Sequence, residues 1–355
     1  MIITPDNEPM KPGDLADHVD GPPVYLTEED VKSLLASDPR YVGMVDTLES
    51  AFRDYARGNV VTPPQERVRL VWPPNAKVRP YDRDMRILPA MVPSVNAAGL
   101  RMGCQSEVAP GRGSSYTVLL EFDTMRPLAF IEDHHLHGVR SGTPSGIAAR
   151  HLAKPDATKL AVIGCGRISR VQTAAAIGQR PIDSIKVFSR TPANREAFAA
   201  DIRDSFGIAN VEPVATAEDA ISDADIVMAA TNSHNAPVFD GEALPAGCLV
   251  ASVTPGELDD ATALRSRVVL TSRNRVATDY TPQEPIASLV KAGKLDLDAM
   301  PLLSEVLEGK AEGRQSDDQI ILLFSPGIGF LDIAVARHTY DIATGRRDHA
   351  WKYGR

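Results

Sequence analysis

The sequence contains few cysteines, few aromatic residues and no long apolar run. Only 3 of its 355 residues are cysteine and 5% are aromatic. The cysteines lie too far apart for a metal-ligand or redox spacing, and their odd number argues against a disulfide framework. No stretch reaches the ~18 apolar residues that a membrane span requires, and residues 1–23 lack the apolar run of a signal peptide. We therefore expect a reducing compartment and a cytoplasmic protein.

Clustered basic charge is also missing. The chain carries 47 acidic residues against 38 lysines and arginines, a formal net charge of −9. Because nucleic acids and anionic membranes are bound through clustered basic residues, we expect neither as a partner. The remaining composition, 43% hydrophobic and 24% charged, is typical of a globular protein, and the length predicts two domains. Residues 1–23, rich in proline and acidic residues, are predicted to form a flexible tail.

The first third of the chain predicts two helices followed by short strands. Thr27 and the three acidic residues after it are typical of a helix N-terminus. Apolar residues within 42–57 recur at helical spacings of three and four. Frequent prolines then limit the strands to short segments. These strands are predicted over residues 67–72, 85–92, 100–105 and 116–122.

From Arg140 onward, helix patterns alternate with buried-strand patterns. Continuous apolar strands that alternate with helices indicate a parallel sheet covered on both faces, and therefore an α/β fold class. The helices are predicted over residues 141–153, 168–177, 193–206 and 330–340. The strands are predicted over residues 160–163, 184–188, 225–229, 249–253, 268–270 and 320–324.

A glycine motif lies where the first of these strands meets its helix. The first glycine permits a tight turn, and the second lets the backbone approach a pyrophosphate that rests on the helix N-terminus. Ser169 occupies the position of the usual third glycine, where a small residue suffices. This context favours a dinucleotide site over an ordinary strand-to-helix turn. The predicted cofactor-binding residues of the motif are Gly164, Cys165, Gly166, Arg167 and Ile168.

The end of the following strand bears on the type of cofactor. An NAD site usually places a carboxylate there for the ribose 2′-hydroxyl, but this strand ends in Ser189, Arg190 and Thr191, with Arg195 one turn later. Guanidinium groups suit a 2′-phosphate, so NADP(H) is favoured and NAD(H) stays possible. The alternative is that both arginines are solvated surface charges. The residues predicted to line the nicotinamide-side ribose are Ala230, Thr231, Asn232, Ser252 and Val253.

Three segments together resemble the ornithine cyclodeaminase/mu-crystallin family over roughly residues 25–345. They are residues 137–153, which run from a histidine through Arg140 into a helix of small residues, the glycine motif, and residues 329–334. The resemblance implies a Rossmann dinucleotide-binding domain, residues 141–315, inserted into an α+β catalytic and dimerisation domain. That second domain would comprise residues 24–140 and 316–355, and the protein would be a homodimer.

The resemblance also implies an arginine site for the carboxylate of a small amino or imino acid. Arg67 and Arg140 match the basic residues of the family, and Arg101 falls where the family usually has lysine. A planar guanidinium binds a carboxylate through two parallel hydrogen bonds, and three of them could also accept a substrate with a second acid group. Arg69 competes with Arg67 for this role. Ser325 resembles part of the loop that closes over the nicotinamide.

Several residues depart from the cyclodeaminase pattern. Thr254, a candidate catalytic residue, stands where cyclodeaminases have the acidic residue that handles the amine proton. The nearby Glu257 and Asp259 are interpreted as the acidic start of the next helix. Arginine at position 101 cannot transfer protons as lysine can. The absent carboxylate after Phe188 favours NADP(H), whereas the cyclodeaminases use NAD. These departures argue against ornithine cyclodeamination.

The histidines at 134, 135 and 137 are predicted to lie at a hairpin edge just before Arg140. Imidazole titrates near neutral pH, so His137 is a candidate proton donor to an imine, although an exposed turn would explain it equally well. For His134 and His135 the exposed turn is the favoured interpretation.

The glycine motif together with the resemblance therefore predicts an NAD(P)H-dependent reductase of a 2-imino acid, or the reverse amino-acid dehydrogenase. The alternatives are a cyclodeaminase that recycles NAD, a binding protein for NADPH and a small ligand, and a synthase-dehydrogenase that condenses two amino acids.

Overall fold

The computed structural model describes residues 8–15, 21–70, 83–106, 113–233, 236–277 and 282–345. The chain divides into two compact units. The first unit comprises Met1–Pro39, Asp46–Arg140 and Ile328–Arg355, and the second comprises Arg40–Val45 and Ser141–Gly327.

The first unit contains a six-stranded sheet. Its order is β1-β6-β5-β4-β3-β2, in which β1 pairs parallel to β6 and every other pair is antiparallel. The long central strands β3 and β4 place successive side chains on opposite faces. The strands are β1 (Val24–Leu26), β2 (Glu66–Leu70), β3 (Arg83–Val92), β4 (Ala97–Ser106), β5 (Ser114–Glu121) and β6 (Pro127–Glu132).

The second unit contains a seven-stranded sheet that is parallel throughout. Its order is β12-β13-β11-β10-β7-β8-β9. From β7 the chain adds β8 and β9 on one side of the sheet, and then returns to add β10 and β11 on the other side of β7. Ligands of such sheets bind beyond the carboxyl ends of the strands at this point, where the strand order reverses. The strands are β7 (Lys159–Ile163), β8 (Ser184–Phe188), β9 (Asn210–Pro213), β10 (Ile226–Ala229), β11 (Leu249–Ser252), β12 (Arg267–Leu270) and β13 (Ile321–Phe324).

The helices of the described residues complete both units. Those of the first third of the chain are α1 (Glu28–Leu35) and α2 (Val42–Ala56), and α3 (His134–Leu152) follows the first sheet. Those of the second sheet are α4 (Arg167–Gln179), α5 (Pro192–Phe206), α6 (Ala217–Ile221), α7 (Asp260–Arg265), α8 (Arg273–Ala277), α9 (Ile286–Lys291) and α10 (Leu303–Leu307). The last helix is α11 (Gly329–Thr344).

A local sequence signal explains where α1 begins. Thr27 caps α1 as predicted: its hydroxyl accepts a hydrogen bond from the Asp30 backbone, and the Asp30 carboxylate accepts one from the Thr27 backbone.

In the first unit, α11 packs on β3, β4 and β5. Its Phe330 is fully buried, meets Phe52 edge to face and stacks on Tyr55. The predicted α/β fold class is confirmed: along the chain, the residues of the Rossmann-type sheet follow one segment of the first unit and precede another.

The structure corrects three details. Residues 8–15, predicted to belong to a flexible tail, instead pack in the first unit, where Leu15 is buried and its backbone N–H donates to the Ala343 carbonyl. The three histidines lie at the start of α3, not at a hairpin edge, because the helix begins about two turns earlier than its small residues suggested. The strand β13 lies between β11 and β12, so residues 316–327 belong to the second unit.

Among the described residues, no helix is both long enough and apolar enough to cross a membrane. The part of the predicted β2 strand beyond Leu70 lies outside the described residues.

Candidate active site

The glycine loop follows β7 at the point where the strand order reverses. Gly164 has φ +101°, and a Cβ there would lie 2.5 Å from the Ala230 carbonyl oxygen. Gly166 is the N-cap of α4, makes no side-chain capping bond, and has nothing within 4 Å of a would-be Cβ. The backbone N–H groups of the first turn are therefore accessible to an anion, and the loop fits a pyrophosphate.

Ser169, at the position of the usual third glycine, is compatible with this loop. The side chain is fully buried, and its hydroxyl donates to the Ala230 carbonyl at 3.1 Å. The serine therefore ties α4 to the end of β10 in place of close glycine packing. Cys165 is half-buried in the loop, and burial raises the pKa of its thiol, which keeps it neutral near pH 7.

A cleft of about 740 Å³ opens at these strand ends. Its volume lies in the range of ligand pockets. Most of the predicted cofactor residues line it, and so does Thr254. They are Gly164, Cys165, Gly166, Arg167, Ile168, Ser189, Arg190, Thr191, Ala230, Thr231 and Asn232. The sequence analysis missed further lining residues, which are Phe188, Asn194, Ser233, Ala236, Pro237 and Val238. Arg195, Ser252, Val253 and Ser325 do not line the cleft.

The two arginines after β8 have different surroundings. Arg190 is exposed at the cleft and donates to the Asn232 side-chain oxygen at 3.1 Å. Arg195 donates to the Ser189 carbonyl at 3.0 Å, so it supports the loop backbone. Of the two, Arg190 is therefore placed to meet a phosphate in the cleft, and Arg195 to hold the loop that carries it.

Glu257 is a buried residue whose role the sequence analysis misjudged. It does not begin a helix: Asp259 caps α7, and Glu257 is fully buried. Its Oε2 accepts from the Thr231 backbone at 2.8 Å and the Thr231 hydroxyl at 2.9 Å. Its Oε1 accepts from the Ser252 hydroxyl at 2.7 Å and the Thr254 backbone at 3.1 Å. The carboxylate thus joins the loops after β10 and β11. The Pro-Gly turn before Glu257 was the available signal, because it returns the chain to those loops.

Burial raises the pKa of Glu257, and its four hydrogen bonds act in the opposite direction. Thr254, predicted to be catalytic, donates its hydroxyl to the Thr231 carbonyl at 2.9 Å. Ser325 follows β13, and its backbone N–H donates to the Ser252 carbonyl at 2.9 Å. The buried Ser325 hydroxyl has no hydrogen-bond partner among the described residues, which leaves it able to bond a ligand group.

In the first unit, Arg101 and Arg140 meet two buried aspartates. Arg101 Nε contacts Asp133 through a short hydrogen bond and lies 3.6 Å from Asp332, while Arg140 Nε lies 2.9 Å from Asp332. Both aspartates are at most 2% exposed. Burial lowers the pKa of Arg140 and raises that of Asp332. Two guanidiniums and two carboxylates balance in charge, which limits the cost of burying them.

These four side chains keep some hydrogen-bonding capacity. The terminal nitrogens of Arg140 make no hydrogen bond to the described residues, and Arg101 uses one terminal nitrogen on the Ser115 hydroxyl at 2.7 Å. The Asp133 Oδ1 and Asp332 Oδ2 atoms are buried without hydrogen-bond partners in the same part of the chain. The group therefore offers donors to a carboxylate and acceptors to an N–H group.

Arg67 lies on the same face of the sheet as Arg101 but contacts another carboxylate. Its Nη2 lies 2.5 Å from Asp84 Oδ2, and its Nε donates to Asp84 Oδ1 at 3.3 Å. Arg69 lies 3.5 Å from the same aspartate. Burial by itself raises the pKa of Asp84, but hydrogen bonds from Arg67 and Arg86 outweigh it, and the pKa lies below its ordinary value. The structure thus links two of the three predicted arginines, Arg101 and Arg140, through the shared carboxylate of Asp332.

His137 lies one helical turn before Arg140 on α3. Its backbone N–H donates to the Asp133 carbonyl at 2.7 Å, and the side chain is partly exposed. Its role as a proton donor stays a prediction.

The two glycines of the loop give a sharp test of nucleotide binding. We expect Gly164→Ala to lower both the unfolding temperature and cofactor affinity, because its Cβ would collide with the Ala230 carbonyl. Gly166→Ala should keep the unfolding temperature and weaken NAD(P)H binding about 10-fold or more, because its Cβ only enters the path of the pyrophosphate. Thermal unfolding and titration of NAD(P)H fluorescence measure both effects. Unchanged binding in Gly166→Ala would reduce the motif to an ordinary turn.

Comparison with known proteins places these sites in a family. The sequence model of the ornithine cyclodeaminase/mu-crystallin family matches residues 23–347. A Δ1-pyrroline-2-carboxylate reductase of Bacillus cereus is 30% identical over 273 residues, which cover 73% of this chain and 82% of that protein.

Two solved structures share the fold. The Δ1-pyrroline-2-carboxylate reductase of Thermococcus litoralis, in complex with NADH and L-proline, has a TM-score of 0.78 at 24% identity and covers 91% of this chain and 98% of its own. A dimeric archaeal alanine dehydrogenase with bound NAD has a TM-score of 0.77 at 25% identity, with coverage of 92% and 97%. The chain belongs to the ornithine cyclodeaminase/mu-crystallin family.

Proposed function

We propose that this chain is an NAD(P)H-dependent reductase of a 2-imino acid, which also runs in reverse as an amino-acid dehydrogenase. The observation that carries the proposal is that one chain holds both a nucleotide cleft after a glycine loop and a buried pair of arginines suited to a carboxylate. The relatives support this class of reaction, since they include a Δ1-pyrroline-2-carboxylate reductase and an alanine dehydrogenase.

A bound nicotinamide supplies a hydride to the C=N carbon, while the nitrogen takes up a proton, so that one C–H and one N–H bond replace the C=N π bond. The chain itself holds and orients the substrate. Arg140 donates to the carboxylate of the imino acid through its terminal nitrogens, and Arg101 and Arg67 add positive charge on the sheet face. Asp133 and Asp332 hold the guanidiniums of Arg101 and Arg140 in fixed positions, which lowers the entropic cost of reaching the reactive geometry.

The surroundings of two residues argue against the cyclodeaminase alternative. A cyclodeaminase would need a carboxylate where Thr254 stands, and the Thr254 hydroxyl already donates to a backbone carbonyl. Glu257 cannot replace that carboxylate, because it is fully buried and accepts four hydrogen bonds.

NADP(H) is the cofactor that we propose over NAD(H). Arg190 lies exposed at the cleft beside Ser189 and Thr191, and neither neighbour carries a charge that would repel a phosphate. A guanidinium in this position forms charge-assisted hydrogen bonds with a 2′-phosphate.

We further propose that the second unit is the cofactor domain and that the first unit binds substrate and forms a homodimer. The archaeal alanine dehydrogenase relative is a dimer. One face of the six-stranded sheet, here called the apolar face, carries the exposed hydrophobic side chains Val68, Leu70, Met91 and Phe130. An exposed apolar patch of this kind marks an association surface.

Enzyme assays test the proposed reaction directly. We expect oxidation of NADPH or NADH with Δ1-pyrroline-2-carboxylate, or with a 2-oxo acid plus ammonia or methylamine. Arg140→Lys, which keeps a positive charge beside Asp332 but loses the planar pair of donors, should lower kcat/KM about 10- to 100-fold with unchanged cofactor affinity. Absence of oxidation with every substrate, despite cofactor binding, would contradict the proposal. Ammonia and proline formed from ornithine without net cofactor change would instead identify a lyase.

Exchange of one arginine tests the cofactor preference. Arg190→Ala should raise the KM for NADPH about 10-fold or more and leave the KM for NADH within about 2-fold, because only NADPH carries the 2′-phosphate. Arg170→Ala is the matched control, since Arg170 pairs with Asp201 and does not line the cleft. An equal loss with both cofactors would show that Arg190 does not read the phosphate.

Charged substitutions on the apolar face test the dimer. Met102 and Val118 lie at its centre on β4 and β5, and glutamate at either position should convert a dimer to a monomer in size-exclusion chromatography with light scattering, because it buries an unpaired charge. Leu264→Glu serves as control, since Leu264 is 46% exposed in the second unit. A monomeric wild-type protein, or variants with the wild-type mass, would refute the proposal.

A further inference from the structure

Arg86 is a basic residue with no role in the proposed binding of the substrate's first carboxylate. It lies on β3, directly opposite Arg67 on β2. Like charges in directly opposite positions destabilise an antiparallel pair. Both side chains reach Asp84: the Arg86 Nε donates to Asp84 Oδ2 at 2.9 Å, and Arg67 forms the bonds described above. One carboxylate therefore serves two opposed guanidiniums, with Arg69 as a third at 3.5 Å.

The charges of these groups are not balanced among themselves. Among the described residues, Asp84 supplies one negative charge to the two guanidiniums of Arg67 and Arg86, whereas Arg101 and Arg140 meet two aspartates. Asp84 and the side chain of Arg67 are almost fully buried, but the side chain of Arg86 is 37% exposed. The Arg86 Nε donates to Asp84 and its Nη2 donates to Gln105, while its Nη1 donates to no group among the described residues. The exposed guanidinium can therefore accept an anion.

The register of the sheet places this surplus next to the carboxylate site. Gly103 on β4 lies directly opposite Arg86, and Arg101 lies two residues along on the same face. Side chains in such a diagonal relation stand about 7–8 Å apart at their bases. A Cβ at Gly103 would lie 3.6 Å from the Arg101 Nη1 and 3.7 Å from the Arg101 Nη2, so the Arg101 guanidinium lies over Gly103, the residue opposite Arg86. The guanidiniums of Arg86 and Arg101 are thus neighbours on a single face of the sheet.

We infer that Arg86 binds a second carboxylate, and that the substrate is a 2-imino dicarboxylic acid whose product is a 2-amino dicarboxylic acid. The inference rests on the proposed reductase function and specifies its substrate class. The balance is that of the proposed reaction: the imine takes a hydride from NAD(P)H and a proton from the medium, and the second carboxylate is unchanged. Arg86 would determine substrate specificity and not the chemical step, because it would contact the second carboxylate and not the C=N carbon.

Substrate pairs of equal carbon number isolate the second carboxylate. With ammonia and NAD(P)H, we expect kcat/KM for oxaloacetate to exceed that for 2-oxobutanoate, or that for 2-oxoglutarate to exceed that for 2-oxopentanoate, by about 30-fold or more. Arg86→Met should lower the diacid value about 10- to 100-fold and the monoacid value far less, and Arg86→Lys should restore part of it. Arg83→Met is the matched control on the same strand, since Arg83 points to the opposite face.

A binding measurement separates this inference from the proposed reaction. Succinate should raise the unfolding temperature of the wild-type protein more than butanoate does at equal ionic strength, and Arg86→Met should abolish the difference. If no imine is reduced but this difference is present, the reductase function fails and the dicarboxylate site stands. If monoacids are reduced as well as diacids and succinate has no advantage, the reductase function stands and the inference is overturned.

Discussion

Buried charge is the constraint on which both candidate sites depend. A charged side chain inside a protein is tolerated only where an opposite charge or several hydrogen bonds meet it. Asp332 and Asp133 meet this requirement for Arg140 and Arg101, and Asp84 meets it for Arg67. Removal of one partner would leave the other buried and unpaired. The positions of the guanidiniums are therefore fixed before any substrate arrives.

The same constraint shapes the second unit. Glu257 is fully buried and has no basic partner among its described contacts, yet four donors from the loops after β10 and β11 surround it. Thr231 and Thr254, two of its donors, line the cleft. A buried carboxylate thus fixes the two loops that border the proposed ribose position, while Gly164 and Gly166 leave room for the phosphates. Rigid loops of this kind reduce the conformational entropy that a cofactor must remove on binding.

The two parts of the site were predictable to different degrees. The glycine loop was found because its signal is local: an apolar strand, two glycines and a helix within one short segment. Most cofactor residues followed from the same logic, since they come directly after parallel strands. The sequence pattern instead indicated a helix start at Glu257 and a hairpin at the histidines before Arg140. In both cases the short sequence pattern was compatible with two local structures. Packing against the rest of the chain placed the histidines in α3 and buried Glu257 before α7.

The sequence by itself determined the alternation of strands and helices, the glycine loop, the family and the identity of the basic residues. These features depend on neighbours within a few residues, which a sequence displays directly. Only the tertiary structure decided which carboxylate each arginine meets, that Arg86 opposes Arg67, and that the Arg101 guanidinium lies over Gly103, the residue opposite Arg86. Strand register and helix packing bring these residues together from distant parts of the chain, and no local pattern in the sequence encodes such contacts.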